Sequence, residues 1–255
     1  MRFAKRFRGG ANAAIEKKME QLGAYTGAEL LAICTDKSRA SQDRVQSCAL
    51  LGQLKLREAT SLLIRIAMGE VDERLVWESL SAVGAIGSRK ATRPLLGILQ
   101  AGTPGAVRRG AVFALMQLAD ERARGMLVRI AAGAREEEKI RGLATEALGM
   151  LRPRRRSLRF LIEALHDPCA EVRFASLCAL GALREHDALP FIRPLLSDTT
   201  VVDGDESVGD RAAVVLRSIE DAVSLIVRPR LRRSEVRRRR GRRVLRSWHR
   251  VPVPR

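Results

Sequence analysis

The sequence predicts an all-α protein, an α-solenoid of stacked antiparallel helix hairpins. Three observations predict it. A unit of about 32 residues recurs along the chain. Within each unit, small and aliphatic residues return at offsets that trace one face of a helix. No stretch alternates apolar and polar residues over a strand-like length.

The repeat is visible in Leu51-Gly52, Val83-Gly84, Leu148-Gly149 and Leu180-Gly181, with Leu115-Met116 filling the gap. Nine residues before the second member of each pair stand the anchors Asp43, Leu75, Val107, Ile140 and Val172, in steps of 32, 32, 33 and 32. A sixth anchor, Val208, follows after 36. Four past each anchor lie Ser47, Ser79, Ala111, Ala144, Ser176 and Ala212. Eight past lie Leu51, Val83, Leu115, Leu148, Leu180 and Leu216, and eleven past lie Leu54, Ile86, Leu118, Leu151, Leu183 and Ile219. Offsets of 0, 4, 8 and 11 form one stripe on a 3.6-period helix. The small column lets a neighbouring helix approach, and the Gly column is expected to end the helix in a left-handed cap.

A second helix follows in each unit. Sixteen past the anchor stand Ala59, Ala91, Ala123 and Ala188, with Arg156 the exception; twenty past stand Leu63, Leu95, Leu127, Phe160 and Ile192. Pro94 and Pro190 fall near its start, where a missing N–H costs little. The few residues between the helices make each unit a hairpin whose open face the next hairpin covers. Residues 12–35 read as a degenerate leading hairpin, with Leu22-Gly23 echoing the column and 27–33 as its second helix. The sixth unit has Arg217 in place of Gly and runs toward Val227-Arg228-Pro229. Both ends read as capping units. The expected organisation is a basic extension over 1–11, a solenoid of about seven hairpins over 12–227, and an Arg-rich tail over 228–255, expected to be disordered or marginally helical.

The stretch Asp167-Pro-Cys-Ala-Glu-Val-Arg-Phe-Ala-Ser-Leu-Cys-Ala-Leu-Gly-Ala-Leu183, followed by Ala188-Leu-Pro-Phe-Ile-Arg-Pro-Leu-Leu196, resembles the HEAT-repeat family, in the short form also found in bilin lyase subunits. The resemblance covers roughly residues 41–220 and implies a HEAT/armadillo-type superhelix. It is nearly silent on function. In that family an Asp before the helix often pairs with the Arg after the anchor. Asp167 and Arg173 fit; Arg44, Arg108 and Arg141 keep the Arg but lack the matching Asp, so such a ladder is expected to be incomplete.

Signs of chemistry are scarce. His166 and His186 stand in His-Asp pairs and His249 in the tail, whereas the HEAT-like deoxyhypusine hydroxylases bind iron through His-Glu pairs, which this chain lacks. HEAT-like DNA glycosylases use tryptophans and a catalytic Asp in a cleft. Here Trp77 has Glu78 beside it, and it shares a repeat column with Phe174, so packing between repeats is the simpler reading. No residue is identified for bilin-lyase chemistry. The segment 203–210 fails the EF-hand test at Val208 and Val214 and reads as an acidic loop that caps the next helix. Cys34, Cys48, Cys169 and Cys178 form no CxxC pair and read as buried thiols of a reducing compartment. No catalytic, cofactor-binding or metal-binding residue is predicted, and no cofactor. No run of about 18 apolar residues exists to span a membrane. The basic start, Met1 to Gly10, has no apolar core and is not read as a secretory signal; it is acid-free like a transit peptide, but short and without Ser. A cytoplasmic location is expected.

The net charge of +18 points first to an anionic partner. Its distribution narrows that. Residues 1–8 carry +4, and residues 228–255 carry 13 Arg against the single Glu235. The body between holds 30 basic and 28 acidic residues and is nearly neutral. Arg outnumbers Lys 40 to 7, a bias that a genome's codon usage also produces. The tail, with Arg237, Arg238, Arg239, Arg240, Arg242 and Arg243 at its centre, is either a solvated extension or an anion-binding arm suited to phosphate. In the body, Arg152, Arg154, Arg155, Arg156 and Arg159 cluster around one turn, as a solvated loop or a site for phosphate or an acidic partner. The expectation is a non-enzymatic scaffold that holds a protein or peptide on the inner surface lined by the second helices. The alternatives are nucleic-acid association through the tail and, less favoured, a bilin-lyase-like or glycosylase-like enzyme.

Overall fold

The structure, a computed structural model, describes residues 25–222. It is an all-α solenoid of helix hairpins. The helices are α1 (Gly27–Thr35), α2 (Ser41–Gln53), α3 (Thr60–Gly69), α4 (Glu73–Ile86), α5 (Thr92–Gln100), α6 (Gly105–Leu118), α7 (Arg124–Ala131), α8 (Glu138–Gly149), α9 (Arg155–Ala164), α10 (Ala170–Leu183), α11 (Leu189–Ile192) and α12, which occupies 208–222. Helix α1 is the second helix of the leading hairpin. Hairpins one to five follow as α2/α3 to α10/α11, and α12 is the first helix of the sixth. The first helix of the leading hairpin, Leu22-Gly23, the approach to Val227 and the tail lie outside the described residues. The chain divides into two compact units between Ala147 and Leu148.

In the N-terminal unit the first helices α2, α4 and α6 pack side by side, while α1, α3 and α5 each lie against the first helix of the following hairpin. The predicted columns form this core. Ser47, Ser79, Ala111 and Ala144 are buried, as are Leu51, Val83 and Leu115. Burying each such leucine contributes about 1.5–3 kcal/mol. Four of the second helices are entered through a short 3-10 turn that buries its alanine: Ala59 before α3, Ala91 before α5, Ala123 before α7 and Ala188 before α11. Between hairpins two and three this entry is tied by a hydrogen bond, Thr92 Oγ1 donating to Asp120 at 2.8 Å.

The Gly column supplies no left-handed cap, although α8 does end at Gly149. Helix α4 runs past Gly84 to Ile86 and is capped by Gly87 at φ 72°. Helices α6 and α10 end in left-handed Ala119 and Arg184. The column glycines serve close approach instead. A Cβ on Gly52 would lie 2.9 Å from the Ala82 Cα, and one on Gly149 would lie 2.6 Å from the Ala179 Cα. Only a residue without a side chain lets the next backbone come so near.

Two further positions depart from the columns. Leu54 is 48% exposed. Helix α2 stops at Gln53 and the chain turns at Lys55 (φ 52°), so Leu56, two residues on, packs over Gly27 instead. In hairpin four the second helix is offset by one residue: Ser157 and Leu161 are buried, not Arg156 and Phe160. The exception at Arg156 is therefore a register shift.

The C-terminal unit contains α9 to α12. Pro194 removes an N–H donor and crowds the preceding turn, so α11 passes into a 3-10 stretch at Arg193–Ser197. The 36-residue step before Val208 holds the strands β1 (Val201–Asp203) and β2 (Glu206–Ser207), an antiparallel pair turning at Gly204 (φ 60°), which the lack of alternation did not predict. The segment does cap the next helix, as expected. Ser207 Oγ accepts from the Asp210 N–H at 3.1 Å, and the Asp210 carboxylate accepts from the Ser207 N–H at 3.0 Å.

The arginine ladder also differs from expectation. Its acids follow the arginine rather than precede it. Arg44 pairs with Glu70, Arg108 with Glu136, and Arg173 with Asp198 at 2.8 Å. Each of these arginines also donates to backbone carbonyls before its own helix: Arg44 to Cys34, Arg108 to Leu99, and Arg173 to Asp167 and Pro168. Arg141 likewise reaches the Ala131 carbonyl. One side chain thereby joins the loops on both sides of its hairpin.

Candidate binding face

The second helices of the N-terminal unit each bury one stripe and expose another. Helix α3 buries Leu63, Ile66 and Ala67; α5 buries Leu95, Ile98 and Leu99; α7 buries Met126, Leu127 and Ile130. Their outward positions recur with the repeat. Ser61, Arg93 and Gly125 stand eighteen past the anchors, and Arg65, Gly97 and Arg129 twenty-two past. All six are exposed. A Cβ on Gly97 or Gly125 would meet nothing within 4 Å, so both lie in open, low relief between the longer side chains.

The charge of this face is one-sided. Helices α3, α5 and α7 contain no Asp or Glu. Arg124, at the start of α7, is paired with Glu121 at 2.6 Å. Arg129 has a thioether contact, Nη2 to Met126 Sδ at 3.6 Å. Three carboxylates of the unit are engaged elsewhere: Glu70 and Glu136 on the arginine ladder, and Asp120 on Arg122 and Thr92. Hydrogen bonds from Arg122 hold the Asp120 carboxyl well below the usual carboxylate range, with Thr92 adding to the effect. A body that is nearly neutral in sum thus carries a locally cationic row. The composition did not reveal it, because acids in the loops cancel the helical arginines in any count. The signal was present at offsets 18 and 22, which the core columns did not include.

The family to which these repeats conform is decided by sequence. The pattern of HEAT repeats matches residues 28–116 and 126–204. The chain belongs to the HEAT-repeat family. No curated protein matches it significantly. An engineered protein of known crystal structure shares the fold at a TM-score of 0.50 and 15% identity, over 78% of this chain and 98% of its own. The designed armadillo repeat protein YIII(Dq)4CqI aligns at a TM-score of 0.46 and 17% identity, over 76% of this chain and all of its own. The CpcE and CpcF complex of phycocyanin lyase from Nostoc sp. PCC7120 aligns at 0.42 and 17%, over 77% and 95%.

The residues singled out in the sequence fall at separate places on the HEAT array. Arg152 and Arg154 lie exposed between α8 and α9. Arg155 and Arg156 open α9, at the end where the helix N–H groups already carry partial positive charge. Arg159 is paired with Glu163 one turn on, at 2.9 Å. Arg237, Arg238, Arg239, Arg240, Arg242 and Arg243 lie outside the described residues. Trp77 stacks on Phe113 of the next hairpin, ring centroids 4.8 Å apart and tilted by 31°. Phe174 lies under the Arg211 guanidinium at 4.7 Å. Both aromatics of that column join neighbouring HEAT hairpins. Burial pushes the Glu78 carboxyl upward, against the opposing charge of Arg74. His166 is exposed beyond the end of α9, and His186 is exposed in the turn before α11. Among the described residues no group of three or more His, Cys, Asp or Glu is placed to hold a metal ion, and no helix is long and apolar enough to cross a membrane.

Proposed function

We propose that this HEAT protein is a non-enzymatic scaffold that holds an acidic, extended stretch of a partner protein on the second-helix face of its N-terminal unit. One observation carries the reading. Arg65, Arg93 and Arg129 stand exposed on three successive second helices that contain no carboxylate, with Gly97 and Gly125 leaving space among them. Forked guanidinium groups suit carboxylates geometrically, and low relief lets a partner backbone approach. Packing of Trp77 on Phe113 supports the non-enzymatic reading over a base-flipping one.

The test is a titration of the full chain with a Glu-rich peptide, beside the variant Arg65→Gln/Arg93→Gln/Arg129→Gln. The tail is common to both proteins, so the difference reports the face. Exposed ion pairs contribute about 0.2–1 kcal/mol each, so three of them set a loss of about tenfold. Equal affinities would contradict the proposal.

A second reading, nucleic-acid association through the tail, is favoured by the 13 Arg against one Glu over 228–255. It requires binding of duplex DNA that weakens steeply with salt and is lost when Arg237, Arg238, Arg239, Arg240, Arg242 and Arg243 are replaced by Gln. Salt-insensitive binding would count against it.

A further inference from the structure

The two cysteines nearest the start of the described array are far apart in sequence but adjacent in space. Cys34 lies in the last turn of α1 and Cys48 in the middle of α2. Their Sγ atoms are 3.4 Å apart. Both side chains are fully buried, 0% exposed. The Ser79 hydroxyl lies 3.5 Å from Cys48 Sγ. The backbone around the pair is fixed by Arg44, whose Nε donates to the Cys34 carbonyl at 3.0 Å while its Nη2 pairs with Glu70. The two thiols are therefore held against each other by a buried arginine anchor.

We infer that Cys34 and Cys48 form a reversible disulfide, made by oxidation with a peroxide, that fastens α1 to α2. The sulfurs must close by about 1.4 Å to reach the disulfide bond length of about 2.05 Å, a movement within the reach of side-chain torsions. One cysteine, as its thiolate, attacks a peroxide oxygen. The O–O bond breaks, one water leaves and a sulfenic acid remains. The second thiol attacks that sulfur, the S–O bond breaks, and the departing hydroxide takes up the remaining proton as a second water. Two electrons and two protons leave the thiols, and one hydrogen peroxide becomes two waters. A peroxide suits the site because its intermediate adds a single oxygen atom to a buried pocket; a mixed disulfide with a bulky thiol would have to open it. A dithiol reductant reverses the step. The half-buried Cys169 and Cys178 lie in the C-terminal unit and take no part.

The bond would close a 15-residue loop, counting both cysteines, and tie the leading hairpin to hairpin one without altering the cationic helices α3, α5 and α7. Trypsin separates the two sites, since Cys34 falls in the peptide 19–37 and Cys48 in 45–55. The experiment treats the reduced full chain with hydrogen peroxide, alkylates the remaining thiols and maps the digest by mass spectrometry. The expected result is a linked 19–37/45–55 pair, 2 Da lighter than the sum of the free peptides, abolished by dithiothreitol. The oxidised protein is expected to melt on the order of 5 °C higher than the reduced one, a shift absent from Cys48→Ala. Recovery of both peptides in alkylated form, or linkage of either to Cys169 or Cys178, would overturn the inference. Because the mapping uses the unaltered chain, it decides the matter even where Cys48→Ala folds poorly.

Discussion

A glycine in a helix ordinarily costs about 1 kcal/mol relative to alanine, so replacing it is expected to stabilise wherever space permits. The two kinds of glycine in this chain give opposite outcomes. Gly97 faces open space on α5, and Gly97→Ala is expected to raise the unfolding free energy by about 0.5–1 kcal/mol. Gly52 meets the Ala82 backbone at 2.9 Å, and Gly52→Ala is expected to lower it by about 1–3 kcal/mol, because a backbone atom cannot swing aside. Urea denaturation of the two variants checks both signs. The sequence showed where these glycines recur but not what they do. Leu-Gly near a helix end suggests a cap, whereas close backbone approach depends on a helix 30 residues further along. Leu54 and Phe160 leave their columns for a related reason: a one-residue change in where a turn begins moves a side chain between core and solvent.

The hairpin is joined to its neighbours by the ladder arginines. Arg108 is half-buried, and its guanidinium serves both Glu136 and the Leu99 carbonyl. Arg108→Ala is expected to cost about 2 kcal/mol, because it leaves a half-buried carboxylate without its partner. Arg108→Ala/Glu136→Ala is expected to recover part of that loss in chemical denaturation, and strict additivity would refute the coupling. The arginine column was legible, but its partners lie 25 to 28 residues on, in loops whose lengths vary, and fixed-offset alignment does not find them. Asp120 makes a second joint, and its carboxyl is held low mainly by Arg122. A carboxyl depressed on folding contributes stability above its unfolded pKa of about 4 and loses it as the pH falls below that value. The pH profile of unfolding should therefore slope downward below about pH 4, and Asp120→Asn should flatten that slope. An unchanged profile would mean the joint contributes nothing.

At the scale of the molecule, the fold was legible because every repeat states the same helix stripe again, and six agreeing copies outweigh any local ambiguity. The binding face was not, because exposed positions are free to vary and no single repeat displays the row formed by Arg65, Arg93 and Arg129. The net charge of +18 drew attention to the chain ends, while the sign of the second-helix face emerged only once exposure was known. The most direct measurement of the central claim is a charge swap on that face. The full chain and its Arg65→Glu/Arg93→Glu/Arg129→Glu variant would each be titrated with a Glu-rich and a Lys-rich peptide of equal length. The account predicts that the parent prefers the Glu-rich peptide and that the variant shifts the ratio of affinities toward the Lys-rich one by at least about tenfold. An unchanged ratio would contradict it and leave the preference to the tail.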